Sequence, residues 1–525
     1  MKNKPTSYDF VIVGSGFGGS VSALRLAEKG YKVLVIEKGR EWACEDFPKT
    51  NWNLKKWLWL PGFRFFGFFK MTFLRHVGIL SGVGVGGGSL VYANTLPRPR
   101  DTFFKSGSWK EIADWKQELD PHYAMAEKML GADRNPELGD SDLALKNVAI
   151  SRGKGAEFEA TRVAVFFGEA EKPVPDPYFN GAGPRREGCR FCGGCMTGCR
   201  YNAKNTLDKN YLYLARKMGV DLIAESRVRK IIALGNAHGK DGYEISFRRS
   251  TSFLFARTRN IRSSGIILAG GVLRTVRLLL DMKKRHLPGI SDMLGSCIRT
   301  NNESLVLVHS KEKHKDFSRG IAIGSIFPPD QDTHLEAVRY ASGSGFWKMM
   351  GVPLTHGKNM LHRIAKLLWH LVSAPASWLR IYFTRDFARS SMILLFMQHL
   401  DSTVHFRKGL INLRSRISAG KAPSAFMPLS KELAEMTSEE INGKPFVMLT
   451  EALTGTPTTA HILGGCVIGR DRDEGVIDKD HKVFGYENLY VCDGSAVSAN
   501  PGVNPALTIT AMTERAMSKI TAREA

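Results

Sequence analysis

The chain has 525 residues, 43% of them hydrophobic, and a formal net charge of +23. That length and apolar content support two interleaved domains with real cores, which excludes a small disulfide scaffold. The positive charge suits an anionic membrane surface, nucleic acid or a solvated basic surface. No nucleic-acid module is present, so no nucleic-acid partner is expected.

Met1 to Tyr8 lacks the apolar core of an export signal, and no apolar run is long enough to span a bilayer. The expectation is a cytoplasmic protein, peripheral at a membrane if it meets one. Phe10 to Val13 reads as a buried parallel strand. It runs into Gly14-Ser15-Gly16-Phe17-Gly18-Gly19, then a helical pattern from Val21 to Glu28, then a strand from Lys32 to Ile36 ending on Glu37. This is the full dinucleotide-binding unit. Gly14 allows the tight turn, Gly16 lets a pyrophosphate approach, and Gly19 lets helix and strand pack. The helix N-terminus offers free N–H groups to the phosphates. Glu37 accepts from an adenosine ribose and disfavours a 2′-phosphate, so FAD or NAD is expected over NADP.

Residues 52–80 interleave aromatic and basic side chains with no acid, as in Lys55-Lys56-Trp57-Leu58-Trp59 and Phe65-Phe66-Gly67-Phe68-Phe69-Lys70. Two readings stand: an element touching a bilayer interface, or a lid packed on the protein's own core. Gly82 to Asn94 is rich in glycine, which suits close approach to a second part of the dinucleotide. Cys189, Cys192, Cys195 and Cys199 follow the bacterial ferredoxin spacing, although Arg200 stands where such runs carry proline. An iron–sulfur cluster, a zinc site, or thiols or disulfides in a compact loop are the readings of this segment.

Gly265 to Gly271 and the helix after it resemble a further strand–turn–helix unit. Ser304 to His309, Ile321 to Phe327 and Leu335 to Tyr340 alternate as strands of an antiparallel sheet. Leu361 to Val372 and Trp378 to Phe383 are basic, amphipathic and bear tryptophan. They read as a membrane-facing or substrate-entrance element, or as a domain-packing helix. Near the C-terminus His461 precedes a glycine turn, and Asn504 precedes the proline that opens a last helix, Ala506 to Ile520.

Gly14–Gly19 with Glu37, Gly84–Asn94, Ile266–Gly271 with Leu278 to Leu280, His461–Gly469, and Asp493-Gly494-Ser495 through Asn504-Pro505 together resemble the glucose–methanol–choline (GMC) flavin oxidoreductases. Within them the chain is similar to the Cys-rich form of the bacterial cholesterol-oxidase branch. The resemblance implies an α/β fold. A Rossmann-like FAD-binding domain would take residues 1–100, 201–300 and 456–525. A substrate domain built on an antiparallel sheet plus helices would take 101–200 and 301–455, with the Cys-rich insertion 189–199.

The implied cofactor is FAD, noncovalent because the Gly-rich loop has no histidine to attach it. It would lie on Gly14, Ser15, Gly16, Phe17, Gly18, Gly19 and Glu37. Gly86, Gly87, Gly88, Ser89 and Asn94 would run along the isoalloxazine, and Val228 would face the adenine through its backbone. Ala269, Gly270 and Pro505 would add to the site, and Asp493 and Gly494 would touch the pyrophosphate–ribityl region. His461 matches the family's active-site histidine and Asn504 the asparagine that supports the reduced flavin. Glu336 aligns with the glutamate that moves a proton during sterol isomerisation; a salt-bridged surface glutamate is its other reading.

The activity implied is oxidation of a 3β-hydroxysterol to the 3-ketosteroid by hydride transfer to flavin, with Δ5-to-Δ4 isomerisation if Glu336 serves, and O2 reduced to H2O2. The alternative is a dehydrogenase or oxidase of a long-chain or other lipid alcohol, using another electron acceptor with or without an iron–sulfur cluster. The partners implied are the sterol or lipid alcohol, the acceptor and a membrane surface.

Overall fold

The computed structural model describes residues 7–235, 238–252, 256–355, 357, 359–410, 412–418 and 423–524. Ser7–Val13 forms a strand whose last four residues are buried, as an apolar run flanked by helices on both faces must be. It pairs in parallel with Val33–Ile36 on one side and Arg259–Leu268 on the other. Asp221–Ile223 continues the parallel order beyond Val33–Ile36, and Leu489–Val491 pairs with Arg259–Leu268. Ser226–Ala233 and Tyr243–Arg249 complete this seven-stranded sheet as an antiparallel flank.

The helix Phe17–Glu28 follows the first strand with Gly16 as its N-cap and no side chain capping it. Its first N–H groups are therefore left for a ligand. An added Cβ on Gly18 would stand 1.6 Å from the Cys492 carbonyl oxygen, and one on Gly19 would stand 2.1 Å from that of Gly14. Only glycine lets this helix close onto the sheet.

A second seven-stranded sheet is antiparallel throughout. Its order is Gly351–Pro353, Gly443–Met448, Ser304–Ser310, Ser391–Gln398, Thr333–Val338, Ile323–Phe327 and Glu159–Ala160. The strands read from alternation lie within two or three residues of these. Val306, Val308, Leu335, Ala337, Leu394 and Phe396 pack one face onto helices Asp140–Ser151 and Pro428–Glu440. Residues of the other parity, Leu305, Leu307, Glu336, Val338, Ile393 and Leu395, take the opposite face. That face looks toward the loops at the C-terminal ends of the first sheet's parallel strands, and the site lies between them.

Segment 52–80 turns most of its rings inward. Trp57 and Phe68 are fully buried, Trp57 stacks on Phe69 with centroids 4.6 Å apart, and it meets Trp347 edge-on at 6.0 Å. The reading as a lid on the protein's own core describes these residues; Phe63, 72% exposed at the tip, and Trp52, Leu60 and Phe73 stay outside. The second amphipathic segment forms helices Met360–Ser373 and Pro375–Phe383, which keep large apolar side chains outside. Among the described residues no helix is long and apolar enough to cross a membrane.

The expectation of an iron–sulfur cluster at Cys189, Cys192, Cys195 and Cys199 is corrected. Among the described residues no three His, Cys, Asp or Glu side chains are grouped to hold a metal ion, and all eight cysteines are unpaired. The loop wraps tightly, but Cys189, Cys195 and Cys199 pack as small apolar groups against Val163, Val165, Ala203 and Ile321. Burial raises the thiol pKa values of Cys189 and Cys195, while Cys192 is exposed. The loop's structural tie is Lys204. Its buried Nζ donates to the carbonyls of Leu90 (3.1 Å), Tyr92 (2.9 Å) and Cys195 (2.8 Å), binding the thiol loop to the end of the Gly-rich loop.

Candidate active site

One cavity of about 940 Å³ runs from the first sheet's glycine turn to the inner face of the antiparallel sheet. Of the residues expected at a cofactor, Gly14, Gly16, Phe17, Gly18, Glu37, Gly87, Gly88, Val228, Ala269, Gly270, Asp493, Gly494, Asn504 and Pro505 line it. Ser15, Gly19, Gly86, Ser89 and Asn94 stand one layer behind. Ser15 Oγ donates to Glu37 Oε2 at 2.9 Å and accepts from Gly86 N at 3.1 Å, holding the two glycine loops together. Ser89 Oγ donates to Gly86 O at 2.7 Å and accepts from Leu207 N at 3.1 Å. Asn94 is fully buried, and neither its Oδ1 nor its Nδ2 has a hydrogen-bond partner among the described residues.

Glu37 accepts from Ser15 N (3.1 Å) and Gly39 N (2.8 Å), which fixes its carboxylate at the cavity wall. Asp493 accepts from Gly271 N and Ser495 N, each at 2.8 Å, and from Thr275 Oγ1 at 2.5 Å. Burial raises its carboxyl pKa against these donors. Around Val228 the wall carries Lys38, Lys70, Arg227, Arg229, Arg274 and Arg277. Burial, then mutual repulsion, pulls Lys70 down to about 8, Arg274 to about 9 and Arg227 to about 10. Sequence reading missed this concentration of cations, which complements an anionic dinucleotide.

The far end of the cavity is apolar, walled by Leu305, Leu307, Ile323, Val338, Ile393 and Leu395 of the sheet, with Tyr340, Trp347 and Met448 beyond. Polar groups converge where this chamber meets the cofactor end. His461 Nδ1 lies 2.6 Å from Glu303 Oε1. Glu303 also accepts from Thr459 Oγ1 and Ala460 N, each at 2.8 Å. Burial alone would lower the His461 pKa; the Glu303 carboxylate, with Glu336 beyond it, more than offsets this, and the pKa is raised. With Nδ1–H committed to Glu303, Nε2 is the nitrogen left to act in the cavity.

Asn504 Nδ2 donates to Glu336 Oε2 at 3.2 Å, and His334 Nε2 lies 3.0 Å from Glu336 Oε1. Glu336 is fully buried, so it is not a surface ion pair. It shares the cavity-side parity of Val338 and Leu395, yet Asn504 and not Glu336 lines the wall. The carboxylate that does line it is Glu303, which sequence reading missed. Its signal was Asn301-Asn302 just before a strand: both adopt left-handed φ, 58° and 43°, and so turn the chain into Glu303. A third carboxyl, Glu451, is buried nearby and accepts from Thr458 N at 3.1 Å. Burial, with Glu303 adding, pushes it up to about 8, so it is protonated at neutral pH.

FAD fits the glycine end. A Cβ added to Gly16 would meet nothing within 4 Å, so the backbone there is bare toward the cavity. Asn504 Oδ1 is buried with no hydrogen-bond partner among the described residues, although its residue lines the wall. These are the marks of a surface built for a ligand.

The N-terminal family model of GMC oxidoreductase matches residues 8–283, and the C-terminal one residues 400–513. A cholesterol oxidase of Acinetobacter baumannii is 46% identical over 526 residues, 98% of this chain and 95% of that protein. One of Mycobacterium tuberculosis is 43% identical over 529 residues, 97% of this chain and 90% of that protein. Pyridoxine 4-oxidase from Mesorbium loti shares the fold with a TM-score of 0.63 at 15% identity, covering 97% of this chain and 98% of that one. The chain therefore belongs to the GMC oxidoreductase family and is an FAD-dependent alcohol oxidoreductase.

Proposed function

We propose that the protein oxidises a 3β-hydroxysterol to the 3-ketosteroid. The observation that carries this reading is the junction itself: His461, Glu303 and Asn504 stand where an apolar chamber opens onto the cofactor end of one cavity. A rigid, apolar alcohol would fill the chamber and present a single hydroxyl to the polar junction. The full-length relatives named as cholesterol oxidases support that choice.

Bound noncovalently, FAD supplies a two-electron acceptor for the carbinol hydride. Glu303 holds the imidazole of His461 in one tautomer, and Nε2 takes the hydroxyl proton as the carbonyl forms. The chamber walls exclude water from the reacting carbon. Asn504 stands between Glu336 and the cavity, its free Oδ1 available to the ligand. We assign isomerisation to Glu336, which reaches the substrate only when Asn504 gives way and would then take a proton from C4 and return it at C6. Glu303 is already held by three donors.

The test is an anaerobic flavin spectrum before and after cholesterol in detergent, with the product isolated. Bleaching with formation of the 3-ketone is expected, then oxygen uptake and peroxide when air is admitted. Flavin that keeps its colour with cholesterol but bleaches with a straight-chain alcohol overturns the sterol reading. In Glu336→Gln the ketone should still form, with its double bond left at Δ5.

A further inference from the structure

Helices Met360–Ser373 and Pro375–Phe383 each bury one line of side chains. Arg363 and Leu367 face inward from the first, and Trp378 and Ile381 from the second. Outside stand Leu361 (79% exposed), Trp369 (69%), Val372 (74%) and Phe383 (80%). Leu361, Ala365, Leu368 and Val372 recur at helical spacing, so they form one apolar stripe, and Trp369 borders it. Leu379 and Phe383 repeat the pattern on the second helix. A water-facing surface rarely leaves so many large apolar side chains together.

Charge says what covers this face. Between Glu336 and Asp386 the sequence has no acidic residue, while Lys366, Arg380 and Arg385 fall there at exposed positions. Apolar side chains beside cations, with a tryptophan at their border, match a bilayer interface: acyl chains take the stripe and phosphates take the cations. The inner face leads to the site. Trp378 and Ile381 pack in the same aromatic cluster as Trp347 and Tyr340, which line the cavity.

We propose that the hairpin 360–383 docks the protein on an anionic lipid bilayer. It lies in the interface with Leu361, Leu368, Trp369, Val372, Leu379 and Phe383 inserted, and it sets the cavity's aromatic wall against the lipid. The docking goes beyond the sterol reading, since it needs only the surface.

The test uses the full chain loaded with FAD and sterol-free vesicles of phosphatidylcholine with or without phosphatidylglycerol. Co-sedimentation with the mixed vesicles is expected, weaker on pure phosphatidylcholine and weaker at high salt. The triple variant Leu361→Ser/Trp369→Ser/Phe383→Ser should bind at least about tenfold more weakly. Its flavin spectrum and its turnover in detergent should be unchanged. If that variant does not fold, Phe383→Ser alone should show a smaller loss in the same direction, and unchanged binding by it counts against the proposal. The proposal is overturned if the wild type ignores both vesicles or if the triple variant binds as the wild type does. It is also overturned if the wild type is a dimer that the variant makes monomeric, because the face then pairs two copies.

Discussion

Segment 52–80 and hairpin 360–383 are written in nearly the same alphabet: aromatic and aliphatic residues, scattered lysine and arginine, and no acid. The structure uses them in opposite ways. In the first, Phe69–Leu74 and Val77–Gly82 pair with each other, and Thr458–Thr459 pairs beside them. Trp57, Phe68 and Phe69 thus find rings of Trp42, Phe47, Phe346 and Trp347 around them. The second is attached beyond Gly351–Pro353, the last strand of its sheet, so one side of each helix meets protein and the other keeps its large side chains exposed among the described residues. Composition sets what a segment can touch; the supply of neighbours decides what it does touch.

Three measurements can break or sharpen this contrast. The largest effect is expected at Trp57, fully buried and stacked on Phe69. Trp57→Ala should cost about 3–5 kcal/mol in denaturant unfolding. A loss well under that range would mean that the lid is not part of the core.

Next comes the seat of the hairpin. Arg363 donates to Leu453 O at 2.8 Å, in the same short helix, Leu449–Thr454, that carries Glu451. Glu451 has a folded pKa raised to about 8 from an ordinary 4.5. Between these values the folded protein keeps a proton that the unfolded chain has released, so stability falls as pH rises through this window. Glu451→Gln lacks that proton, and its melting temperature should gain on the wild type by about a few degrees across the window. A pH-independent difference would exclude the raised pKa. Smallest is the outer face. Trp369→Ser, at a 69% exposed position, should change stability by less than about 0.5 kcal/mol. A larger cost would show that the face is covered by protein.

Much of the fold was legible because its signals are local. The strand–glycine–helix–strand unit ending on Glu37 is contiguous, and the strands of the second sheet announced themselves by alternation. His461 and Asn504, which lie 43 residues apart in the numbering, were marked by turn chemistry and by resemblance. Glu303 was not, because its partner His461 lies 158 residues away and nothing local requires them to meet. Glu336 was correctly placed on a strand, but only the packing shows Asn504 between it and the cavity. The cysteine spacing misled because spacing fixes the reach of ligands and not their direction. In this loop Cys189, Cys195 and Cys199 turn toward Val163 and Ile321.

Lys204 has a consequence for the order in which the protein is made. Two of the carbonyls it gathers lie 114 and 112 residues earlier in the chain. The end of the Gly-rich loop is therefore synthesised long before the side chain that pins it exists. Closing so distant a contact is entropically slow compared with forming the helices and hairpins on either side. Flavin capture by a refolding chain should accordingly lag behind the appearance of secondary structure, with the berth complete only once residues near 90 and 204 have met.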